Sequence, residues 1–162
     1  MNLMTFYSFK GGVGRTVALV NVATALAQAS RKVLIVDFDL EAPGLQTFDE
    51  LKPKKPCKGV VEFVSDYIVT GRTPEVRDYV YETDGVAANG GHPLVMPAGS
   101  GDCNYRKQLS RIHWQKLYAE QDGYLMIEDL KAQGRFVQSR LCISRFADWT
   151  HRCRRHLYST TA

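Results

Sequence analysis

Lys10, Gly11, Gly12, Gly14, Arg15 and Thr16 lie within one seven-residue stretch. They bring together what a phosphate group needs: cationic side chains, a hydroxyl, and glycines that let successive backbone N–H groups converge on one point. An apolar run at residues 3–6 precedes this stretch and a helical pattern follows it. Strand, loop and helix in that order put the loop at a helix N-terminus, where the dipole adds positive potential to the same spot. Two acids form the second group. Asp37 and Asp39 close the apolar run at residues 33–36, whose composition suits a buried parallel strand. Taken alone, the pair reads as a strand-end turn in which each carboxylate bonds its own backbone. Placed about one helix after a glycine loop, it reads as the second strand end of a β-loop-α-β unit.

Residues 9–16, FKGGVGRT, resemble the deviant P-loop of the ParA/MinD ATPases, whose pattern is KGGxGK[ST]; an arginine in place of the second lysine marks a subgroup of such proteins. The resemblance implies an α/β, Rossmann-like P-loop NTPase with a mostly parallel sheet and flanking helices, binding ATP with Mg²⁺. It further implies that Lys10, Gly11, Gly12, Val13, Gly14, Arg15 and Thr16 hold the nucleotide. Lys10 would reach across a nucleotide-sandwich homodimer to the partner's phosphates. Thr16 would ligate Mg²⁺, Asp39 would help position the attacking water and the Mg²⁺ shell, and Asp37 would stand in the outer shell. Arg15 departs from the family pattern. A planar guanidinium does not replace the compact point charge of an ammonium, so efficient hydrolysis by this chain is not expected. The resemblance also implies that intact relatives use hydrolysis to reset an interaction with a protein partner.

Several elements must position these groups. Residues 17–29 carry Val17, Val20, Ala23, Leu26 and Ala27 near helical spacing, with Leu19 and Val22 widening the face as in a helix packed on a sheet. Residues 59–71 place Val60, Phe63, Val64, Tyr67 and Ile68 on one side of a second helix, and residues 74–81 start a short one with proline in its first turn. Residues 51–56, LKPKKP, form a solvated connector, since both prolines disfavour helix. A short strand ends in the Pro97-Ala98-Gly99 segment, similar to one in family members. Residues 105–120 and 123–133 read as further helices, with His113 and Trp114 as packing residues and the basic positions between 105 and 116 on a solvated face. His92 stands in a turn with no second histidine at ligand spacing.

The 162 residues suit one α/β domain, although relatives of this class are longer, and truncation is expected. The net charge of +4 divides unevenly. Residues 131–162 hold seven Lys or Arg against Asp148 alone, a net of +6, leaving −2 for residues 1–130. The domain is therefore drawn as residues 1–133, incomplete at its C-terminus, followed by a basic tail at 134–162. Arginines and aromatics in that tail could contact nucleic acid, but the segment shows neither helical nor strand periodicity. Synonymous codons for residues 138–160, read one base further along, spell NPDYVLVDSRTGHTDVGGICTR, which resembles the family's next strand and switch segment. The tail is accordingly read as out of frame or disordered, and as unable to supply a central strand. Cys57, Cys103, Cys142 and Cys153 have no metal or disulfide spacing. With no membrane span and no signal peptide, a cytoplasmic location is expected. A non-enzymatic nucleotide-binding module remains the alternative reading.

Overall fold

The computed structural model describes residues 2–7, 12–84, 91–136 and 141–146, with side chains for all of these except 2, 135, 136 and 141–146. Five strands form one sheet in the order β1-β5-β2-β4-β3, where β1 is Asn2–Tyr7, β2 Val33–Phe38, β3 Tyr81–Glu82, β4 Leu94–Met96 and β5 Leu141–Phe146. All neighbours are parallel except β3, which pairs antiparallel with β4 at one edge. All six residues of β2 are buried, as an apolar run covered on both faces requires. Strand alternation then sorts its side chains. Val33 and Ile35 pack with Leu19, Val20, Ala23 and Ala27 of α1 (Arg15–Gln28), whereas Leu34, Val36 and Phe38 pack with α2 (Val60–Thr70) and α5 (Gly123–Phe136) on the other side.

Helix α2 matches its expected span. Gly59 caps its N-terminus and Gly71, at φ +66°, closes it in the left-handed conformation favoured by glycine. Its apolar side packs on Tyr79, whose ring meets Phe63 edge-on at 5.3 Å. Tyr79 belongs to a single 3₁₀ turn at Val76–Tyr79, in place of the longer helix expected from Pro74. Gln133 of α5 fixes that turn by accepting from the Val76 amide at 2.7 Å and donating to the Pro74 carbonyl at 3.0 Å.

The helix expected at 105–120 is two helices, α3 (Tyr105–Arg111) and α4 (Trp114–Glu120). Ile112 and His113 leave the helical conformation between them, and the break turns Ile112 into the core while His113 is exposed. His113 is thus not a packing residue; Trp114 is half-buried. Arg106, Lys107, Arg111 and Lys116 are exposed, in keeping with a solvated face. In α1, Val17 is half exposed and lies off the packed face.

The tail differs from expectation. Helix α5 runs through the boundary drawn at residue 133, and Leu141–Phe146 lies between β1 and β2 as an interior strand, with Ile143 in register with Met4 and Ile35. The expectation that this segment cannot supply a central strand is corrected. A parallel ladder is made by backbone N–H and C=O groups, which any non-proline sequence offers, and LCISRF contains the Ile, Cys and Phe that pleated surfaces accept. Residues 147–162 lie outside the described residues. Among the described residues no helix is long and apolar enough to cross a membrane.

Candidate functional site

Of the glycine loop, residues 12–16 are described. Gly12 and Gly14 sit at φ +71° and +77°, where a side chain would be strained and glycine is not. Gly14 is the N-cap of α1; no side chain caps that helix and no acid stands in its first turn. Among the described residues nothing beyond the chain neighbours lies within 4 Å of where a Cβ would project from either glycine. The loop therefore presents a positive helix end and its glycine backbone to open space, which is the geometry that accepts an anion. Val13 is exposed, Arg15 and Thr16 are half-buried at the start of α1, and Lys10 and Gly11 lie outside the described residues.

Asp37 and Asp39 occupy the carboxyl end of β2, and both are buried, at 1% and 3% exposure. Asp37 follows Val33 and Ile35 in the strand alternation, which puts it on the face covered by α1. The chain folds back on these carboxylates. Asp39 N–H donates to Asp37 Oδ1 at 3.0 Å, and Ala42 N–H donates to Asp39 Oδ1 at 3.3 Å. Both the described glycines 12 and 14 after β1 and the acids after β2 thus lie toward the carboxyl edge of the parallel sheet, with β5 between the two strands. Two strand spacings amount to about 10 Å, a gap that a triphosphate and its cation can bridge. Such crevices outside strand carboxyl ends are where open α/β sheets bind ligands.

The donor set suits a magnesium–nucleotide pair. A hydroxyl and two carboxylates are hard oxygen donors. Among the described residues no group of three or more His, Cys, Asp or Glu side chains could hold a metal by itself, so a cation here needs phosphate oxygens and water to complete its shell. That is how Mg²⁺ is usually held.

One buried network was not anticipated from the sequence. Glu62, 7% exposed, accepts from Gly59 N–H at 2.8 Å through Oε2, and from Ser100 N–H at 3.1 Å and Ser100 Oγ–H at 2.9 Å through Oε1. It therefore joins the N-terminus of α2 to the loop leaving β4. The signal available was the acid at the third helical position of α2, the site of a capping carboxylate. Tyr105, at the start of α3, donates to the Leu40 carbonyl at 2.7 Å, beside Asp39. Burial pushes its phenol far above the usual range, and the negative charges of Asp37, Glu62 and Asp39 add to the shift. The hydroxyl consequently remains a donor at any working pH. Replacing Glu62 with Gln turns one acceptor into an NH₂ facing donors, a change expected to cost about 1–3 kcal/mol. A Glu62→Gln variant with unaltered denaturant midpoint would show that this network is slack.

His92 is exposed. Lys54 pairs with Asp84 on the surface, as expected of a solvated connector.

Comparison with known proteins agrees with this geometry. Residues 1–85, more than half of the chain, match the model of a family described as AAA domain. The antiactivator FleN of Pseudomonas aeruginosa is 42% identical over 92 residues, covering 57% of this chain and 28% of FleN. An uncharacterized ATP-binding protein of Methanocaldococcus jannaschii is 34% identical over 80 residues, covering 49% of this chain and 27% of that protein. The chain thus spans little more than a quarter of the length of these relatives. Among solved structures, cobyrinic acid a,c-diamide synthase from Mycobacterium smegmatis, with bound ATP analog and magnesium, superposes with a TM-score of 0.59 at 18% identity, over 89% of this chain and 50% of that one. A Cyanothece McdA–ATP complex superposes with a TM-score of 0.55 at 21% identity, over 89% and 47% of the two chains. At such identities these structures speak for the fold, an α/β P-loop architecture. With a glycine loop, helix and acid-ended strand inside the matched segment, the chain belongs to the AAA-domain family of ParA/MinD-type P-loop ATPases.

Proposed function

We propose that this chain binds ATP with Mg²⁺ at the loop of residues 10–16, and that it does so as the nucleotide-binding part of a ParA/MinD-like switch in the cytoplasm. The observation that carries the reading is the pair of left-handed glycines at an α1 N-terminus without a side-chain cap, with no described residue crowding their Cβ positions. In this reading the amides of Gly11, Gly12, Val13 and Gly14 cradle the phosphates, Arg15 grips them, and Lys10 reaches the phosphates of a second copy. Thr16 and Asp39 hold Mg²⁺ and Asp37 supports them from its buried place on β2. Mg²⁺ held there would neutralise phosphate charge; the residues of this chain would bind and orient the nucleotide.

Thermal unfolding with and without Mg·ATP tests the reading. A ligand at about 100 times its Kd stabilises a fold by about 2.7 kcal/mol, which raises Tm by several degrees in a chain of this size. An unchanged Tm at millimolar Mg·ATP would refute nucleotide binding. Size-exclusion chromatography under the same conditions tests the ATP-dependent homodimer, which is supported by the resemblance in Lys10.

Arg15 favours a second version, in which ATP is a structural ligand. A guanidinium can clamp phosphate oxygens bidentately without reproducing the lysine's point charge. Arg15→Lys separates the two. A gain in phosphate release of at least about tenfold shows that arginine limits the chemistry, whereas loss of ATP affinity shows a site shaped for arginine.

We propose also that residues 134–162 are read out of frame. Support comes from β5: the neighbouring frame spells Tyr-Val-Leu-Val-Asp-Ser over the six positions of the strand Leu141–Phe146, an apolar strand ending in acid. Resequencing the coding DNA decides this, because a neighbouring frame that closes at once would refute the frameshift.

A further inference from the structure

The segment that follows β2 is fixed at two levels. Close to Asp39, its own backbone wraps the carboxylates through the Asp39 and Ala42 amides, at 3.0 and 3.3 Å. One residue further, the Leu40 carbonyl is held at 2.7 Å by Tyr105, which is 65 residues away in sequence. Tyr105 is itself held. Its ring lies against Gly99, where a Cβ would come within 2.4 Å of the ring carbon Cε2 and 3.2 Å of Glu62 Oε2. Gly99 is the residue before Ser100, whose amide and hydroxyl both donate to Glu62. Gln46 Nε2 also reaches the Gly99 carbonyl, at 3.4 Å. Glu62, Ser100, Gly99 and Tyr105 thus form a continuous brace, half-buried at Ser100, from the N-terminus of α2 to the peptide beside Asp39.

We propose that Tyr105 is a positioning residue for Asp39, its hydroxyl holding the Leu40 peptide so that the Asp39 carboxylate keeps the orientation the magnesium–nucleotide site requires. This rests on the nucleotide reading given above. A carboxylate on a turn past a strand end has rotational freedom that its own short-range hydrogen bonds only partly remove. Bracing the next peptide from a different element removes more of it, as supporting shells around functional groups do. The link from α3 to this carbonyl is made by the Tyr105 hydroxyl.

Tyr105→Phe tests the proposal, since it keeps the ring against Gly99 and removes only the donor. In the nucleotide-free protein, amide hydrogen exchange at Asp39 and Ala42 is expected to accelerate about fivefold, the effect of losing one hydrogen bond, while amides in the middle of α2 exchange as in wild type. The Mg²⁺-dependent gain in ATP affinity is expected to fall by a similar factor, with ATP affinity in the absence of Mg²⁺ unchanged. Thr73→Val is the control: it removes a side-chain hydrogen bond of comparable length, 2.8 Å to Asp129 of α5, outside the brace, and both readouts stay at wild type. Unchanged exchange at Asp39 and Ala42, or uniform acceleration along the chain, overturns the positioning role. So does local acceleration with an unaltered Mg²⁺ dependence. If wild type binds no ATP while the local exchange effect is present, the nucleotide reading is what has failed, and the role in the site falls with it.

Discussion

Gly14→Val is expected to lower ATP affinity by at least about 100-fold while leaving the domain folded. Two separate effects follow from the same backbone angle. At φ +77° a β-branched residue is strained, at a cost of about 1–3 kcal/mol. That strain falls on stability if the loop keeps its shape, and on the loop if it does not. The second effect concerns space. Among the described residues no atom beyond the chain neighbours lies within 4 Å of the position of a Cβ, so the described fold can accommodate the side chain, and what the methyls enter is the region in front of the α1 N-terminus. Phosphates seated there would be displaced from the amides that bind them. Gly71→Val separates strain from occlusion. Gly71 has a comparable φ, +66°, and equally open surroundings, but it caps α2. It should lose stability by a similar amount and keep wild-type ATP affinity. Isothermal titration of the two variants measures the difference. Equal affinity in Gly14→Val and wild type would remove the loop from the binding site.

Much of this framework was legible because it depends on local periodicity. The apolar face of α1, the unbroken run of β2 and the glycine-bounded α2 each follow from patterns within about fifteen residues, and the glycine loop carries its conformation in its residue types. The brace was hidden for the opposite reason. Glu62 meets Ser100 across 38 positions and Tyr105 meets Leu40 across 65, and nothing near Tyr105 distinguishes a buried hydroxyl donor from an exposed one. The break at Ile112 was missed because a helical pattern can continue across a residue whose burial demands a turn. Leu141–Phe146 escaped notice because a central parallel strand is defined by its neighbours' backbones as much as by its own side chains.

Gly59→Ala is the substitution expected to damage stability most, although alanine is the smallest possible addition. Gly59 has φ −143° and ψ −150°, extended backbone in which alanine is at ease, so conformational strain does not enter. The obstacle is contact. A Cβ at this position would lie 2.1 Å from the Pro97 carbonyl oxygen and 2.8 Å from both the Pro97 carbonyl carbon and the Gly99 nitrogen. All three are backbone atoms that cannot swing aside as a side-chain tip can. Relief requires α2 to withdraw from the end of β4. That movement strains the hydrogen bonds donated by Val60 N–H to Pro97 O at 2.8 Å and by Val61 N–H to Ala98 O at 3.0 Å, and with them the Glu62 contacts to Gly59 and Ser100. At about 1 kcal/mol for each bond weakened, with overpacking added, the expected loss is at least about 3 kcal/mol. In a chain of this size it lowers Tm by about 10 °C. Calorimetry beside Gly71→Ala, expected to lose about 1 kcal/mol, tells a steric interlock from a general dislike of replacing glycine. If Gly59→Ala melts within about 2 °C of wild type, α2 does not meet the β4 loop this closely, and the brace that holds Tyr105 against Leu40 loses its anchor.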